Sequence, residues 1–255
     1  MIDVLIAPRV EVLDLEMDQF GTPSWVHPTF VWDEKEAVLI DAGYPGQLEQ
    51  LRAAIEEAGV SAERLTRLIF THQDIDHIGG GNALLAVNQR IEVLAHEQDR
   101  PYILGEKPLI KFSPERLAQI TELVSSLPEE RRQAILEGFR HPNPRIDRTL
   151  ADGERLPDCG GVVVIHTPGH TPGHIALYLE SSKVLVAGDG LNISEGRLVG
   201  PNSQMTPDLG QATRSLKKLA AYEIETVVCY HGGVYTGHDV NARIAALASE
   251  LTPTR

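Results

Sequence analysis

Thr71-His72-Gln73-Asp74-Ile75-Asp76-His77-Ile78-Gly79-Gly80 is the stretch on which the reading of this chain turns. It follows Leu68-Ile69-Phe70, a short apolar run of the kind that forms a buried strand. Gly79-Gly80-Gly81 then breaks the chain before a helix-like stretch from Asn82 to Asn88. The motif therefore sits on a strand-to-helix loop, where α/β proteins place their chemistry. Between His72 and His77, four of six side chains are imidazole or carboxylate, the ligand types of zinc and of harder transition metals. Crowded into one loop, such groups repel and stay solvated unless a cation gathers them.

Working outward, short apolar runs recur. Ile2 to Ala7 and Val10 to Leu15 read as strands, and Asp18 to Pro28 as a loop with Gly21, Pro23 and Pro28. Phe30–Trp32 and Ala37–Ile40 read as a hairpin ending at Asp41-Ala42-Gly43. Leu48, Leu51 and Ile55 have helical spacing closed by Gly59. Ile91–Leu94 is a strand ending at His96. From about 97 to 148 only helical patterns appear, with Ser113 as an N-cap ahead of Pro114 and a second helix opening at Pro128. Strands resume at Val162–Ile165, Ile175–Leu179, Val184–Ala187 and Thr226–Cys229, with a helix capped by Thr206 and opened by Pro207 between the last two. The last helix carries Ile244, Leu247 and Leu251. Strands with covering helices imply a layered α/β fold.

Composition narrows the function. The 255 residues carry a formal charge of −13, which argues against a nucleic-acid partner, because such binding rests on Lys and Arg. No segment has the length to cross a bilayer and no basic leader precedes Ile2, so a cytoplasmic protein without a membrane partner is expected. Cys159 and Cys229 lie far apart, in no metal-like spacing, and are expected to be buried small hydrophobes. There is no phosphate loop with its Lys and no G-x-S-x-G elbow. A homodimer is compatible with all of this.

Ligand-type residues recur at strand ends next to Gly: Asp41, the His72–His77 loop, His170, Asp189 and His231. On these residues the chain resembles the metallo-β-lactamase-fold hydrolases. The loop from Thr71 is similar to their H-x-H-x-D-H signature, here H-x-D-x-D-H. Thr167-Pro168-Gly169-His170 resembles their second ligand motif, Gly188-Asp189 their bridging carboxylate and His231-Gly232-Gly233 their last ligand. The resemblance implies a four-layer αβ/βα sandwich of two mixed sheets flanked by helices. It implies one domain over 1–255, with the helical segment at about 97–148 inserted as a lid. It further implies two divalent ions, zinc foremost. One would take His72, Asp74 and His170, the other Asp76, His77 and His231, and Asp189 would bridge them. A hydroxide held between two ions roughly 3.5–4 Å apart would be the nucleophile. Asp76 would orient it and pass a proton to the leaving group. Asp41 would sit behind the ligands, orienting a histidine. His174 matches no ligand position and is expected behind the ligands or in packing.

Asp74 departs from the signature, which has His there. A carboxylate lowers the charge of the site by one and shifts preference toward Mn or Fe without excluding Zn. A metal-dependent hydrolase of an ester-like bond in a small molecule is the reading carried forward: a lactone, a thioester, or a carboxylic or phosphoric ester. A non-hydrolytic metal-binding protein or an iron-dependent oxidoreductase on the same fold is the alternative. No basic cluster near the C-terminus marks a glutathione or nucleic-acid site, which weakens glyoxalase-type and nuclease readings. Phe20, Trp25, Tyr102, Ile110, Phe112 and Met205 are the expected apolar pocket walls. His96 could line the cleft, His166 is expected in the core, and His27, His141 and His238 on the surface or in loops.

Overall fold

The computed structural model describes residues 4–7, 9–19 and 22–250. Two β-sheets face each other, and each carries helices on its outer side. The first runs in the order Val4–Ala7, Val10–Val12, Thr29–Trp32, Ala37–Ile40, Arg67–Phe70, Glu92–His96, Arg148–Leu150. It is antiparallel up to Ala37–Ile40 and parallel from there on. The second runs Arg155–Leu156, Val162–His166, Ile175–Leu179, Val184–Val186, Thr226–Cys229, Gly233–Thr236. Its single parallel pair joins Val184–Val186 to Thr226–Cys229.

Side-chain alternation along the strands builds the layers. Val38, Ile40, Ile69 and Leu94 of the first sheet meet Val164, Ile175, Leu177 and Val186 of the second between the sheets. The alternate residues Leu39, Leu68, Phe70 and Val93 face outward against Leu51 and Ile55 of helix Leu48–Glu57. On the far side, Leu185 and Val227 pack on Leu216 and Leu219 of helix Leu209–Leu219 and on Ile244 and Leu247 of helix Val240–Glu250. Strands buried on both faces explain the near-continuous apolar runs in the sequence. Leu251, assigned above to the last helix, lies outside the described residues.

The 97–148 stretch folds as helices Arg100–Ile103, Pro114–Leu123 and Glu129–Arg140. Ser113 caps the second, its side chain accepting from Arg116 N. Ile120, Val124, Leu136 and Phe139 form their own small core, against which Tyr44, Phe112 and Ile75 pack. Ile75 opens the short helix that carries Asp76 and His77, so the insertion rests directly on the motif.

Two local readings need correction, and one hairpin adds to the elements expected. Asp18 to Pro28 is not a plain loop: Leu15–Gln19 pairs with Thr22–Val26 in a separate two-stranded ribbon, where Pro23 is tolerated because every strand is an edge. Asn192–Ser194 and Arg197–Val199 form a further hairpin. Its turn, Glu195-Gly196, has positive φ at both residues, the backbone that two-residue hairpins favour. Helix Leu209–Leu219 is capped by Asp208, whose side chain accepts from Gln211 N, and not by Thr206.

Candidate metal centre

Every ligand-type strand end opens on the same edge of the two sheets. Strand Arg67–Phe70 delivers Thr71, which is buried. Asp41, one residue past strand Ala37–Ile40 and at φ 63°, turns its carboxylate toward it. Thr71 N and Oγ1 both donate to that carboxylate at 2.8 Å, and His77 Nδ1 lies 2.8 Å from Asp41 Oδ2. Thr71 Oγ1 also stands 3.0 Å from His72 Nδ1. With its proton given to Asp41, the hydroxyl accepts from His72 Nδ1–H. Both imidazoles therefore turn Nε2 toward the cleft. Gly80 lets this loop close on its neighbour: a Cβ there would lie 2.1 Å from the carbonyl oxygen of Ala42.

From the second sheet, Gly169 approaches helix Leu209–Leu219 so closely that a Cβ would lie 2.2 Å from Ala212 N, and this sets the turn that presents His170. His170 Nδ1 is 3.1 Å from Thr206 Oγ1, the residue read from sequence as a helix cap. Asp189 follows strand Val184–Val186, and its N–H donates to His174 Nε2 at 3.0 Å. His174 Nδ1 in turn meets Thr167 Oγ1 at 2.9 Å. Burial holds the His174 imidazole down at about 3, so its Nε2 is available as an acceptor. His174 thus stands behind Asp189.

The seven candidate side chains form two clusters. Ligand atoms of His72, Asp74, His170 and Asp189 lie within 4.8 Å of one another, and so do those of Asp76, His77 and His231. Asp189 stands between them, with Oδ2 3.1 Å from His170 Nε2 and Oδ1 3.3 Å from His77 Nε2. His231 Nε2 is 3.2 Å from Asp76 Oδ2. His72 Nε2, His77 Nε2 and Asp189 Oδ1 are buried and aimed inward, and none makes a well-formed hydrogen bond, although His77 Nε2 and Asp189 Oδ1 face each other and His72 Nε2 faces Asp74 Oδ2, both at 3.3 Å. A native protein rarely leaves buried donors and acceptors in such poor geometry, whereas divalent cations would satisfy all three. The donor set fits such ions: imidazole and carboxylate, arranged as two groups with a shared carboxylate.

Electrostatics agree. Burial depresses His72 well below the ordinary imidazole value. Burial opposes charging of His77 too, but Asp41, Asp76 and Asp189 overcome it and hold His77 well above that value. Against the same burial, Asp189 and Asp76 carry His231 up to about 10, and Asp189 and Asp74 raise His170. Burial works against ionising Asp74 and Asp189 as well, yet the surrounding imidazoles keep both well below the usual carboxylate range. Without cations, protons on imidazoles balance the carboxylates.

Sequence reading misses several residues here. Asp99 is fully buried, and its carboxylate accepts from Gln73 N and Nε2, Thr171 Oγ1 and Gly173 N, tying the two ligand loops together. Tyr230 stacks on His77 at 3.7 Å and donates to the carbonyl of Asp76. Lys111 of the insertion places its ammonium against Asp74 Oδ2 and His170 Nε2. A lysine inside the apolar run Leu109-Ile110-Lys111-Phe112 is the available signal.

A cavity of about 460 Å³ lies over the clusters, floored by Asp74, Asp76, Asp189 and His231 and walled by Tyr44, Leu109, Phe112, Ile120, Phe139 and Met205. Of the expected walls, Phe112 and Met205 line it. Trp25 lines an adjoining cleft that also reaches His231. Tyr102 does not line it, because helix Arg100–Ile103 buries Ile103 instead and leaves Tyr102 beneath Lys107. Ile110 points outward, 41% exposed, since its N–H is held by Gln73 Oε1 and the next residue takes the inward direction. Phe20 lies outside the described residues. His27 is buried and bonded to Asp14 Oδ1, and is not a surface residue. His96 lies outside the cleft, its ring stacked at 3.9 Å on His166, which is half-buried. His141 and His238 are exposed.

No helix among the described residues is long and apolar enough to cross a membrane. The protein resembles a probable metallo-hydrolase, YflN, of Bacillus subtilis (strain 168): 30% identity over 232 residues, 84% of this chain and 82% of that one. It is 33% identical over 171 residues to the hydroxyacylglutathione hydrolase GloC of Haemophilus influenzae, covering 64% of this chain and 65% of that one. A metallo-beta-lactamase family protein of Thermus thermophilus superposes with a TM-score of 0.69 at 24% identity, over 96% of this chain and 80% of that one. Residues 22–231 match the family model of the metallo-beta-lactamase superfamily, and with the clustered histidines and carboxylates at its sheet edge the chain belongs to that superfamily.

Proposed function

We propose that this protein is a dinuclear metal-dependent hydrolase that cleaves an ester-like bond in a small molecule. The observation that carries the reading is the placement of Asp189 between two three-residue clusters, with three inward-facing ligand atoms that make no well-formed hydrogen bond. His72, Asp74 and His170 would hold one ion and Asp76, His77 and His231 the other, with Asp189 shared. When bound, such a pair of ions would lower the pKa of a water to about 7 and polarise the scissile carbonyl or phosphoryl oxygen.

The chain's own residues do the rest. Asp41 and Thr71 fix the rings of His72 and His77, and His174 fixes the backbone of Asp189. Asp76, on the cavity floor, takes the proton of the attacking water and returns it to the leaving group. The insertion walls the cleft with the apolar side chains of Leu109, Phe112, Ile120 and Phe139. A cavity of about 460 Å³ suits a small substrate, and the charge of −13 disfavours nucleic acid. The relative named for hydroxyacylglutathione keeps thioesters in the substrate panel alongside lactones and carboxylic and phosphoric esters.

The test is metal analysis of protein purified without added metal, paired with that panel and with Asp76→Ala. Near two equivalents of metal and hydrolysis lost on Asp76→Ala are expected. Redox-active iron with no hydrolysis across the panel would sink the reading and favour an oxidoreductase.

A further inference from the structure

We propose that Lys111, assisted by Arg116, selects substrates that carry a carboxylate close to the scissile bond. The inference rests on the hydrolase reading and names the substrate class of the same site. The floor of the cavity is anionic, and both of its lysine or arginine lining residues come from the insertion. Lys111 is 14% exposed, and its ammonium touches Asp74 Oδ2 and His170 Nε2. A desolvated lysine is costly unless an anion meets it.

Its position is built in. Ile110 N donates to Gln73 Oε1 at 2.9 Å, and Gln73 Nε2 donates to Asp99 Oδ1 at 3.1 Å. The backbone beside Lys111 is thereby pinned to the loop that bears His72 and Asp74. Asp74 Oδ2 and His170 Nε2 are also donor atoms that a divalent ion would claim. Were those two atoms to hold an ion, the ammonium would be displaced, and its flexible four-carbon stem would let the charge turn into the cavity while the backbone stays fixed. The anion it then meets is the substrate's, held beside the bond to be cut. Arg116 lies one helical turn into Pro114–Leu123, within the same wall, its guanidinium against Gln119. Phe112, Ile120 and Phe139 leave apolar space for the remainder of the molecule.

S-benzyl thioesters of succinic and butyric acid differ only in a carboxylate replacing a methyl group. The zinc-saturated wild type is expected to favour the succinyl compound, mainly through KM. Lys111→Met should lower kcat/KM for it by about 10- to 100-fold and leave the butyryl compound within about threefold. Lys111→Arg should restore most of the preference, and Arg116→Gln should give a smaller loss. Calorimetry supplies a readout independent of turnover: succinate binding to the zinc-loaded protein should weaken about 10-fold or more in Lys111→Met. An equal fall on both thioesters, or unchanged succinate binding, overturns the role of Lys111. Failure of the wild type to cleave any ester-like bond would overturn the hydrolase reading, and the succinate titration would still decide whether Lys111 recognises the carboxylate.

Discussion

The two clusters of the candidate centre use similar donors in different surroundings. His72, Asp74 and His170 are buried, and a lysine ammonium leans on them from the insertion. Asp76, His77 and His231 sit at the other side of Asp189, and the His231 side chain is 38% exposed. One imidazole of the first cluster is held neutral by burial, whereas both of the second are pulled toward the charged form by carboxylates. Sequence supplies nearly the same ligand chemistry twice, and packing makes the two halves unequal. Both open on the cavity through a carboxylate, Asp74 in the first and Asp76 in the second, and the contrast lies in the imidazoles: both of the first are enclosed, whereas His231 of the second reaches the rim.

The largest effect should come from the residue common to both. Asp189→Ala removes the carboxylate that reaches His170 and His77 together. Turnover should fall by roughly 10³-fold or more, with metal content dropping at both clusters. Elemental analysis beside kcat checks this, and retention of two ions would refute a shared carboxylate.

The next pair separates the halves. His231→Ala, at a half-exposed position, should leave the cluster-one ion in place, giving about one equivalent of metal, cost roughly 10²- to 10³-fold in turnover, and barely move the melting temperature of the metal-free protein at about pH 10, where the raised imidazole contributes little. His72→Ala should lose the other ion and lower that melting temperature by roughly 4 °C or more, because it empties a fully buried site and strands Thr71. Equal melting temperatures would erase the proposed contrast.

What can be read from sequence follows from how local each signal is. The His72–His77 loop is legible because strand, ligands and glycines are contiguous. His170, Asp189 and His231 are legible because each follows an apolar run and sits beside glycine. Thr206 misleads because Thr206 and Asp208 are both good N-caps two residues apart, and only the bond to His170, 36 residues away, decides between them. Lys111 is only faintly legible: its place in an apolar run hints that it turns inward, but its partners lie 37 and 59 positions away. Asp99 escapes for the same reason: it binds both ligand loops, and each contact is long-range.

A smaller effect is expected from Asp41→Asn. At φ 63° asparagine is tolerated as readily as aspartate, so the backbone is undisturbed. The amide, however, cannot accept from Thr71 N, Thr71 Oγ1 and His77 Nδ1 all at once. Metal affinity at the second cluster should weaken by about 10- to 100-fold. The first cluster should change less, since it feels Asp41 only through Thr71 and His72. Competition titration with a chromophoric chelator resolves the two constants, and equal weakening would mean that Thr71 transmits the loss in full.

The subtlest contrast is in proton release. An imidazole whose pKa is raised in the folded, metal-free protein adds stability that is complete below its unfolded value, near 6.5. That stability is lost as pH rises through the folded value, about 10 for His231. The lowered Asp74 and Asp189 act in the opposite sense, adding stability above the usual carboxylate range that is lost only on strong acidification. The depressed His72 and His174 also add stability above 6.5 that is lost as pH falls below it, so the metal-free protein should melt highest near pH 6.5 and soften both toward pH 10 and toward about pH 4. Divalent ions need neutral imidazoles, so the rise in melting temperature on adding zinc should grow from about pH 6 to 9. The second cluster must expel protons from both His77 and His231, and the first only from His170, because His72 is already neutral. Near neutral pH, more protons per ion should leave the second site than the first, so the logarithm of affinity rises more steeply with pH at the second. Calorimetric titration in buffers of different ionisation enthalpy counts those protons, and equal counts would show that burial does not set the two histidine pairs apart.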